Sequence, residues 1–284
     1  MQENVVLITG ANSGIGKETT RALAHQGATL VMACRNLAKA EPVRQAIQEE
    51  SGNSQIEVLS LDLASLASIR EFAGQFSEKY QQLHVLLNNA GTFSMTRQET
   101  LDGFELTMGV NHLGTFLLTR LLLPLLQSTP ESRIVNVSSN VHYQGAIDLD
   151  DLQLERKKYR GMNAYANSKL ANVCFTLDLA AQLQDTGVTV NALHPGFVAT
   201  NIWQLWPEER WYHRLLIKII SRTAISAQEG ALTSIYLATS DEVRGVTGQY
   251  FDKNRPRAVS PKCDDRQMRR ALWQLSEELV GWGG

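Results

Sequence analysis

Tyr165 and Lys169 stand four residues apart near the start of a helical pattern. Residues at this spacing lie on one face of an α-helix, so the phenol and the ammonium can act together. A nearby cation favours the phenolate and lowers the pKa of a tyrosine, which is about 10 in water. At about 4 Å and an effective dielectric of about 20, the charge contributes roughly 4 kcal/mol, enough for proton transfer at neutral pH. Taken alone, such a pair is more typical of a solvated helix face, so its interpretation depends on the rest of the chain.

A glycine-rich turn lies between an apolar run and a helical pattern at the start of the chain. The run Val5–Ile8 predicts a strand, residues 9–16 read TGANSGIG, and Lys17–His25 predicts a helix. Glycines allow a pyrophosphate to approach the backbone, and a helix N-terminus supplies unpaired N–H groups and a favourable dipole. The arrangement predicts a dinucleotide site, with a tight glycine turn that binds no ligand as the alternative.

The second predicted strand, Ala28–Ala33, is followed by Cys34-Arg35-Asn36. In sheets of this kind an acidic residue near this position binds the ribose of NAD, whereas an arginine accommodates the 2′-phosphate of NADP. No acidic residue occurs from 28 to 40, and Arg35 and Lys39 are basic. The charge pattern favours NADP(H), with an ordinary surface arginine as the alternative reading of Arg35.

Polar residues follow three further predicted strands. Because the carboxyl ends of parallel strands meet at one edge of a sheet, these residues should border one ligand site. Each also has a structural alternative: a cap of the helix Ser65–Tyr80 for the aspartate, an Asx turn for the asparagines and a plain turn for the serines. The strands and the residues that follow them are Ile56–Leu61 with Asp62, His84–Leu87 with Asn88-Asn89-Ala90-Gly91, and Arg133–Val137 with Ser138-Ser139.

Asn111 lies among apolar neighbours in the helical pattern Leu101–Gln127. A buried amide needs hydrogen-bond partners. We expect its side chain to satisfy backbone groups, to bend the helix or to hold a water molecule.

Strands and helices alternate along the 284 residues, with no repeat or flexible linker. This pattern predicts an α/β fold, a single Rossmann-like domain over residues 1–284 with a doubly wound parallel sheet of about seven strands and helices on both faces. The polar connection between Asn140 and Met162 is interpreted as a solvated excursion. Residues 201–222 are rich in tryptophan and interleaved with charges, which predicts a lid within 197–226, a membrane-surface helix, a partner interface or a core helix pair.

Composition excludes several classes of function. The chain is 43% hydrophobic and 20% charged with a formal charge of -2, so no basic excess indicates nucleic acid. Three separated cysteines indicate neither a disulfide framework nor a metal site, and they fit a reducing compartment. We find no basic leader and no apolar run near the ~18 residues of a membrane span, so we expect a cytoplasmic protein.

These features together resemble the short-chain dehydrogenase/reductase family over nearly the whole chain. The closer resemblance is to its retinol dehydrogenase-like branch, although this sequence lacks the N-terminal membrane anchor of many animal members. The residues that carry the family resemblance are Thr9-Gly10 with Gly14 and Gly16, Asp62, Asn88-Asn89-Ala90-Gly91, Asn111, Ser139, Tyr165 with Lys169, and Pro195-Gly196 with Thr200. Those that indicate the branch are Ala33-Cys34-Arg35-Asn36, Asn111-His112-Leu113-Gly114, the long gap from Ser139 to Tyr165, Ser168-Lys169-Leu170-Ala171-Asn172, and His194-Pro195-Gly196.

The resemblance implies an NADP(H)-dependent enzyme that interconverts lipophilic carbonyl compounds and alcohols. Tyr165 would transfer the proton, Lys169 would lower its pKa and bind the nicotinamide ribose, Ser139 would orient the carbonyl and Asn111 would hold a relay water. The substrate pocket would be walled by residues 92–97, 141–144 and the Trp-rich segment. The residues assigned to the cofactor are Gly10, Asn12, Ser13, Gly14, Ile15, Gly16, Arg35, Asn36, Asp62, Leu63, Asn89, Ala90, Gly91, Tyr165, Lys169, Pro195, Gly196, Val198 and Thr200.

Two other functions stay open at this point. One is a catalytically silent nucleotide-binding scaffold, which the intact Ser139, Tyr165 and Lys169 disfavour. The other is an NADPH-dependent reductase of a carbon–carbon double bond. An oligomer and peripheral membrane contact through 201–222 are both compatible with the sequence.

Overall fold

The computed structural model describes residues 1–198 and 224–283. Within these ranges the strands form one sheet in the order β3-β2-β1-β4-β5-β6-β7-β8, parallel throughout except for the last pair. The strands are β1 Val5–Thr9, β2 Thr29–Cys34, β3 Ile56–Ser60, β4 Val85–Asn88, β5 Arg133–Val137, β6 Thr189–His194, β7 Tyr250–Asp252 and β8 Arg255–Arg257. The helices are α1 Gly14–His25, α2 Leu37–Ser51, α3 Leu66–Lys79, α4 Leu106–Ser128, α5 Gly161–Gln182, α6 Ala227–Thr239 and α7 Arg266–Leu279.

The core lies on both faces of the sheet, as β1 illustrates. Leu7 packs with α3, α4 and α5, whereas Val6 and Ile8 pack on the opposite face with α1, α2 and α6. All three are 0% exposed, as expected where helices cover both faces of parallel strands. The predicted α/β, doubly wound architecture is confirmed. The strand order reverses between β1 and β4, which is where ligands bind in such sheets.

The sheet contains eight strands in the described ranges, one more than predicted. The additional strand, β8, is the exposed run Arg-Pro-Arg and carries no apolar alternation from which it could be predicted. It pairs antiparallel with β7 across a tight turn in which Lys253 and Asn254 have φ values of 50° and 60°. Charges and a proline on an edge strand oppose pairing with another molecule.

Helix α4 begins five residues later than predicted. Glu105 caps it, because its carboxylate accepts hydrogen bonds from the N–H groups of Thr107 and Met108 at 2.9 and 2.7 Å. The expectation that no segment is long and apolar enough to span a membrane is wrong by those two measures, since Leu106–Ser128 reaches a mean hydropathy of 1.2. However, 67% of the 18-residue window that gives this value is buried inside the protein, which is typical of a core helix.

Buried amides link the sheet to α5. The Nδ2 of Asn88 on β4 donates to Oδ1 of Asn136 on β5 at 2.8 Å, and Nδ2 of Asn136 donates to Oγ1 of Thr176 on α5 at 2.9 Å. Asn88, Asn136 and Thr176 are 5%, 1% and 1% exposed. The two strands and the helix are therefore joined by hydrogen bonds as well as by apolar packing.

The connection from β5 to α5 is not wholly solvated, contrary to expectation. His142, Asp151 and Leu152 are buried within it, with exposed fractions of 0%, 6% and 7%. The charged positions around 155–158 are exposed, as predicted. Apolar and hydrogen-bonding residues therefore anchor a segment that composition alone indicates to be polar.

Candidate active site

The glycine turn forms the first turn of α1, which begins at Gly14 rather than at the predicted Lys17. Gly10 and Gly14 have φ values of 66° and 52°, which residues with a side chain rarely adopt. A Cβ atom on Gly16 would lie 2.4 Å from the carbonyl oxygen of Gly10. Ser13 caps the helix without a side-chain hydrogen bond, so no capping side chain occupies the N–H groups of the first turn. This is the geometry that binds a pyrophosphate.

Thr9 fixes the glycine turn to the end of β4, a role that the sequence analysis did not assign. Its hydroxyl oxygen accepts from the N–H groups of Asn89 and Ala90 at 3.0 and 2.9 Å. The Nδ2 of Asn89 donates to the carbonyl of Thr9 at 2.8 Å. Two of the predicted cofactor segments are thereby held together at the strand-order reversal.

Arg35 is exposed at the end of β2. Within the described ranges no carboxylate forms an ion pair with its guanidinium, so the charge is available to an anion. Asn36 is the N-cap of α2, with Oδ1 accepting from the N–H of Lys39 at 3.0 Å. The structure thus leaves the Arg35 guanidinium without an ion pair among the described residues and uses the side chain of Asn36 in the helix cap.

Asp62 forms an Asx-type turn at the end of β3. Its Oδ1 accepts from the N–H of Ala64 at 3.0 Å. The alternative of a cap on the next helix is wrong, because Ser65 caps α3 by accepting from Ser68. The neighbouring Leu63 is buried, and its carbonyl would lie 2.4 Å from a Cβ atom on Gly114 in α4.

Asn111 and Lys169 converge beside Gly91. A Cβ atom on Gly91 would lie 3.3 Å from Oδ1 of Asn111 and 3.6 Å from Nζ of Lys169. The Nζ of Lys169 donates to the carbonyl of Val137, at the end of β5, at 2.9 Å. It also lies 5.6 Å from the centroid of the Tyr165 ring. The predicted tyrosine–lysine pair and the predicted amide therefore occupy one small region at the carboxyl edge of the sheet.

Asn111 lies in a wide, π-helical stretch of α4, Gly109–Gly114. Its Oδ1 accepts from the N–H of Thr92 at 2.7 Å, and its Nδ2 donates to the Thr92 carbonyl and to Oγ of Ser168, both at 3.0 Å. Two of the expected roles, backbone partners and a distorted helix, are thus observed. Both amide hydrogens have protein acceptors, so any water held by this side chain would have to donate to Oδ1.

The two serines after β5 differ in their surroundings. The hydroxyl of Ser138 is buried and donates to the carbonyl of Lys169 at 2.8 Å. Ser139 is partly exposed, and its Oγ accepts a long hydrogen bond from the N–H of Val141 at 3.4 Å. Within the described ranges the hydroxyl hydrogen of Ser139 has no acceptor, so this serine can donate to a substrate.

Burial moves the pKa values of the central pair in opposite directions. It raises the pKa of Tyr165 to about 12 and lowers the pKa of Lys169 to about 8. The expected lowering of the Tyr165 pKa by Lys169 is therefore not found in this structure. The ammonium is bound to the carbonyl of Val137, and the loss of hydration outweighs its attraction for a phenolate. At neutral pH Tyr165 is a phenol and can donate a proton.

The pKa of Lys169 predicts a pH dependence of stability for the protein without nucleotide. The pKa is about 8 in the folded protein and ordinarily 10.5, so the unfolded chain retains the proton to higher pH. Folded-state stability should rise across this window, by at most about 1.4 kcal/mol per pH unit. Urea denaturation of the wild type and of Lys169→Met from pH 7 to 10 measures the difference, in which other titrating groups cancel. Parallel stability curves would contradict the prediction.

Phe93 contacts the reactive ring, a contact that no sequence motif indicated. It is 3% exposed, and its ring meets Tyr165 edge-on with a centroid distance of 5.8 Å and an interplanar angle of 88°. It lies inside the 92–97 stretch expected to wall the pocket. The phenyl group limits the orientations of Tyr165 from that side.

The segment after β6 approaches the N-terminus of α1. Gly196 has a φ of 86°, and a Cβ atom there would lie 2.5 Å from Cδ1 of Ile225. Val198 is buried in one cluster with Ile15 of the glycine turn. Thr200, most of the predicted lid at 197–226 and the Trp-rich segment 201–222 lie outside the described residues.

A cleft of about 470 Å³ opens beside Ser139. It lies between three elements: the serine turn, by which we mean Ser139 and the short turn Asn140–Gln144 that follows it, the start of the segment after β6, and the β7–β8 hairpin. It borders the residues that follow Ser139, but neither Tyr165 nor Lys169 lines it. The lining residues are Asn140, Tyr143, His194, Gly196, Phe197, Ile225, Tyr250, Asp252, Lys253 and Arg257.

A glycine turn and a tyrosine–lysine centre at the strand-order reversal of a parallel sheet define a dinucleotide-binding α/β class of protein. The family model for short chain dehydrogenases matches residues 4–211. The chain belongs to the short-chain dehydrogenase family of oxidoreductases, as the motifs predicted.

Relatives in the retinol dehydrogenase branch match along nearly the full chain, which confirms the closer resemblance. Retinol dehydrogenase 12 of Homo sapiens is 45% identical over 277 residues, covering 98% of this chain and 86% of the relative. Retinol dehydrogenase 13 of Homo sapiens is 43% identical over 278 residues, covering 97% and 84%.

Solved structures agree with the fold. An uncharacterized protein from Mycobacterium paratuberculosis has a TM-score of 0.78 and 35% identity, with 99% of this chain and 94% of that chain covered. A short-chain dehydrogenase from Shigella flexneri 2a, complexed with NADP, has a TM-score of 0.71 and 27% identity, covering 90% and 98%.

Proposed function

We propose that the protein is an NADP(H)-dependent oxidoreductase that interconverts a lipophilic aldehyde or ketone and its alcohol. The observation that carries this proposal is the convergence of Asn111 and Lys169 at Gly91, with Tyr165 above Lys169. The glycine turn lies at the same sheet edge and is joined to this region through Asn89. A proton-transfer centre and a pyrophosphate site are thus parts of one crevice.

The residues present fit an NADP(H) cofactor. Any side chain at Gly16 would fill the space against Gly10, so the turn keeps its backbone open to a pyrophosphate. Arg35 would hold the 2′-phosphate, and Lys169 would bind the nicotinamide ribose. When bound, the cofactor supplies a hydride to the carbonyl carbon in the reductive direction.

The chain's own residues would handle the proton and the carbonyl oxygen. The hydroxyl of Ser139 would donate a hydrogen bond to that oxygen and orient it. The phenol of Tyr165, protonated at neutral pH with a pKa of about 12, would donate the proton that completes the alcohol. The ammonium of Lys169 would favour the resulting phenolate. Alcohol oxidation would need the phenolate at the start, so its rate should increase as the pH rises.

Cofactor choice is tested by Arg35→Ala. Removing the guanidinium should raise the Kd for NADPH by about 10 to 100-fold and leave the Kd for NADH within about twofold, because only the 2′-phosphate contacts this charge. Isothermal titration with both nucleotides measures the two constants. Arg44→Ala is the matched control, since that guanidinium is already paired with Glu41 at 2.6 Å. Equal effects on NADPH and NADH would remove Arg35 from the phosphate site.

The activity itself is tested with the purified chain, NADPH and a panel of lipophilic aldehydes and ketones. We expect alcohol products and oxidised cofactor in equal amounts. Nucleotide binding without turnover of any carbonyl would support the silent scaffold instead. A product that keeps its carbonyl and loses a carbon–carbon double bond would support the alternative reductase.

A cytoplasmic location is likewise part of the proposal. It is supported by the three cysteines, which are buried free thiols in the structure, including Cys174 and Cys263, whose sulfur atoms lie 3.3 Å apart. Cell fractionation with an antibody against the chain tests it, and recovery in the membrane pellet would contradict it.

A further inference from the structure

His142 lies in a short 3-10 turn, Asn140–Gln144, three residues after Ser139. It belongs to the stretch 141–144, which the family resemblance predicts to wall the substrate pocket. Its side chain is instead 0% exposed, so it faces the protein interior. A buried histidine so close to the candidate active serine needs a structural or functional explanation.

Both ring nitrogens of His142 have protein partners. Nδ1 lies 2.7 Å from the carbonyl oxygen of Ser139, and Nε2 lies 3.2 Å from the backbone nitrogen of Ser260. A carbonyl can only accept and a backbone N–H can only donate. The ring is therefore neutral, with its proton on Nδ1 donated to Ser139 and a lone pair on Nε2 that accepts from Ser260.

The ring has little freedom to leave this position. It packs against Tyr143 and Tyr250 with centroid distances of 4.0 and 4.7 Å. Burial lowers the pKa of His142, which favours the neutral form that Ser260 requires. Two donors, the backbone N–H of His142 at 3.1 Å and its Nδ1–H, thus fix the Ser139 carbonyl.

The same turn is held to the C-terminal part of the chain at two further points. The hydroxyl of Tyr143 donates to the carbonyl of Ala258, and Nζ of Lys262 donates to the carbonyl of Gly145. Residues 258–262 lie beyond the 4–211 region that the family model matches. The serine turn is therefore braced by a segment outside that region.

We propose that His142 is a positioning residue for Ser139, which fixes the serine turn against Ser260 so that the hydroxyl stays directed at the substrate oxygen. This inference rests on the proposed function, in which Ser139 orients the carbonyl. His142 touches neither substrate nor cofactor and acts through the backbone of Ser139.

Three substitutions separate the two hydrogen bonds. His142→Asn places an amide N–H near the position of Nδ1, so the bond to Ser139 can persist. His142→Gln places an amide oxygen near the position of Nε2, so the bond to Ser260 can persist. His142→Ala removes both, and His84→Ala is the control, because His84 Nδ1 likewise accepts a backbone N–H, from Val5 at 3.0 Å, at the amino edge of the sheet.

We expect His142→Ala to lower kcat for carbonyl reduction by about 10 to 100-fold, since small misplacements of a catalytic group have effects of that size. The Kd for NADPH should stay within about twofold. His142→Asn should recover most of the lost kcat, whereas His142→Gln should recover thermal stability but not kcat. His84→Ala should lower the Tm and leave kcat per folded molecule unchanged, with folded molecules counted by NADPH-binding stoichiometry.

The possible failures are distinguishable. If the wild type reduces carbonyls and all three variants keep its kcat per folded molecule, His142 has no positioning role. Equal recovery by asparagine and glutamine would also overturn the role, because it would show general packing rather than the bond to Ser139. If the wild type turns over no carbonyl, the proposed function fails, and the role of His142 fails with it.

Discussion

Tyr165→Phe should lower kcat for carbonyl reduction by about 10² to 10⁴-fold, the usual contribution of a general acid, and leave the Kd for NADPH within about twofold. The phenol keeps its proton at neutral pH, since burial raises its pKa to about 12, and it is the group that the proposed function assigns to the substrate oxygen. The ring of the variant still packs against Phe93, so the site keeps its shape. Steady-state kinetics and nucleotide titration give the two constants.

Tyr80→Phe is the matched control for this substitution. The hydroxyl of Tyr80 donates to Glu57, on the side of the sheet away from the crevice, and it takes no part in the proposed chemistry. Its loss should reduce stability slightly and leave kcat unchanged. Turnover by Tyr165→Phe at the wild-type rate would show that another group supplies the proton.

Gly16→Ala should weaken NADPH binding by at least about 100-fold and destabilise the fold by about 1 to 3 kcal/mol, the usual effect of overpacking a tight site. The new Cβ atom would lie 2.4 Å from the carbonyl oxygen of Gly10 and 2.5 Å from Nδ2 of Asn89. Relief of these contacts must move the glycine turn away from the end of β4. Titration with NADPH and urea denaturation measure the two effects.

Gly74→Ala is the control for this substitution, and we expect it to have the opposite effect on stability. Gly74 is also inside a helix, α3, but a Cβ atom there would meet nothing within 4 Å. Alanine is favoured over glycine in a helix by about 1 kcal/mol, so this variant should be more stable than the wild type. If Gly16→Ala were also more stable than the wild type, helix propensity rather than the contact with Gly10 would dominate at Gly16.

The fold could largely be predicted from the sequence because its strands are buried on both faces. Such strands read as continuous apolar runs, and the bounds predicted for β5, Arg133–Val137, are those observed. The helix predicted to end at His25 likewise ends there. The strand β8 could not be predicted, because an exposed Arg-Pro-Arg run is defined only by its pairing with β7.

The candidate site, like the fold, could be predicted from the sequence only where its features are local. The four-residue spacing of Tyr165 and Lys169 is a local pattern, which helix geometry places on one face. The glycine turn is also local, because it stands directly before a helix whose N-terminal N–H groups can bind an anion. The direction of the Tyr165 pKa depends on how much surrounding structure excludes water, which spacing does not encode. The contact of Phe93 with Tyr165 joins residues far apart in the chain and leaves no local signal.

The buried amides between β4, β5 and α5 determine the rotational setting of α5. Residues four and seven positions apart recur on one side of a helix, so Tyr165, Lys169 and Thr176 lie along one stripe. Turning the helix by one residue, about 100°, would carry Tyr165 out of the crevice and would also leave Asn136 without its acceptor in the core. Because an unpaired amide there would be costly, any packing that displaces the phenol is also penalised far from it. The direction in which the Tyr165 side chain points is thus determined in part by Thr176, two helical turns beyond Lys169, which takes no part in the chemistry.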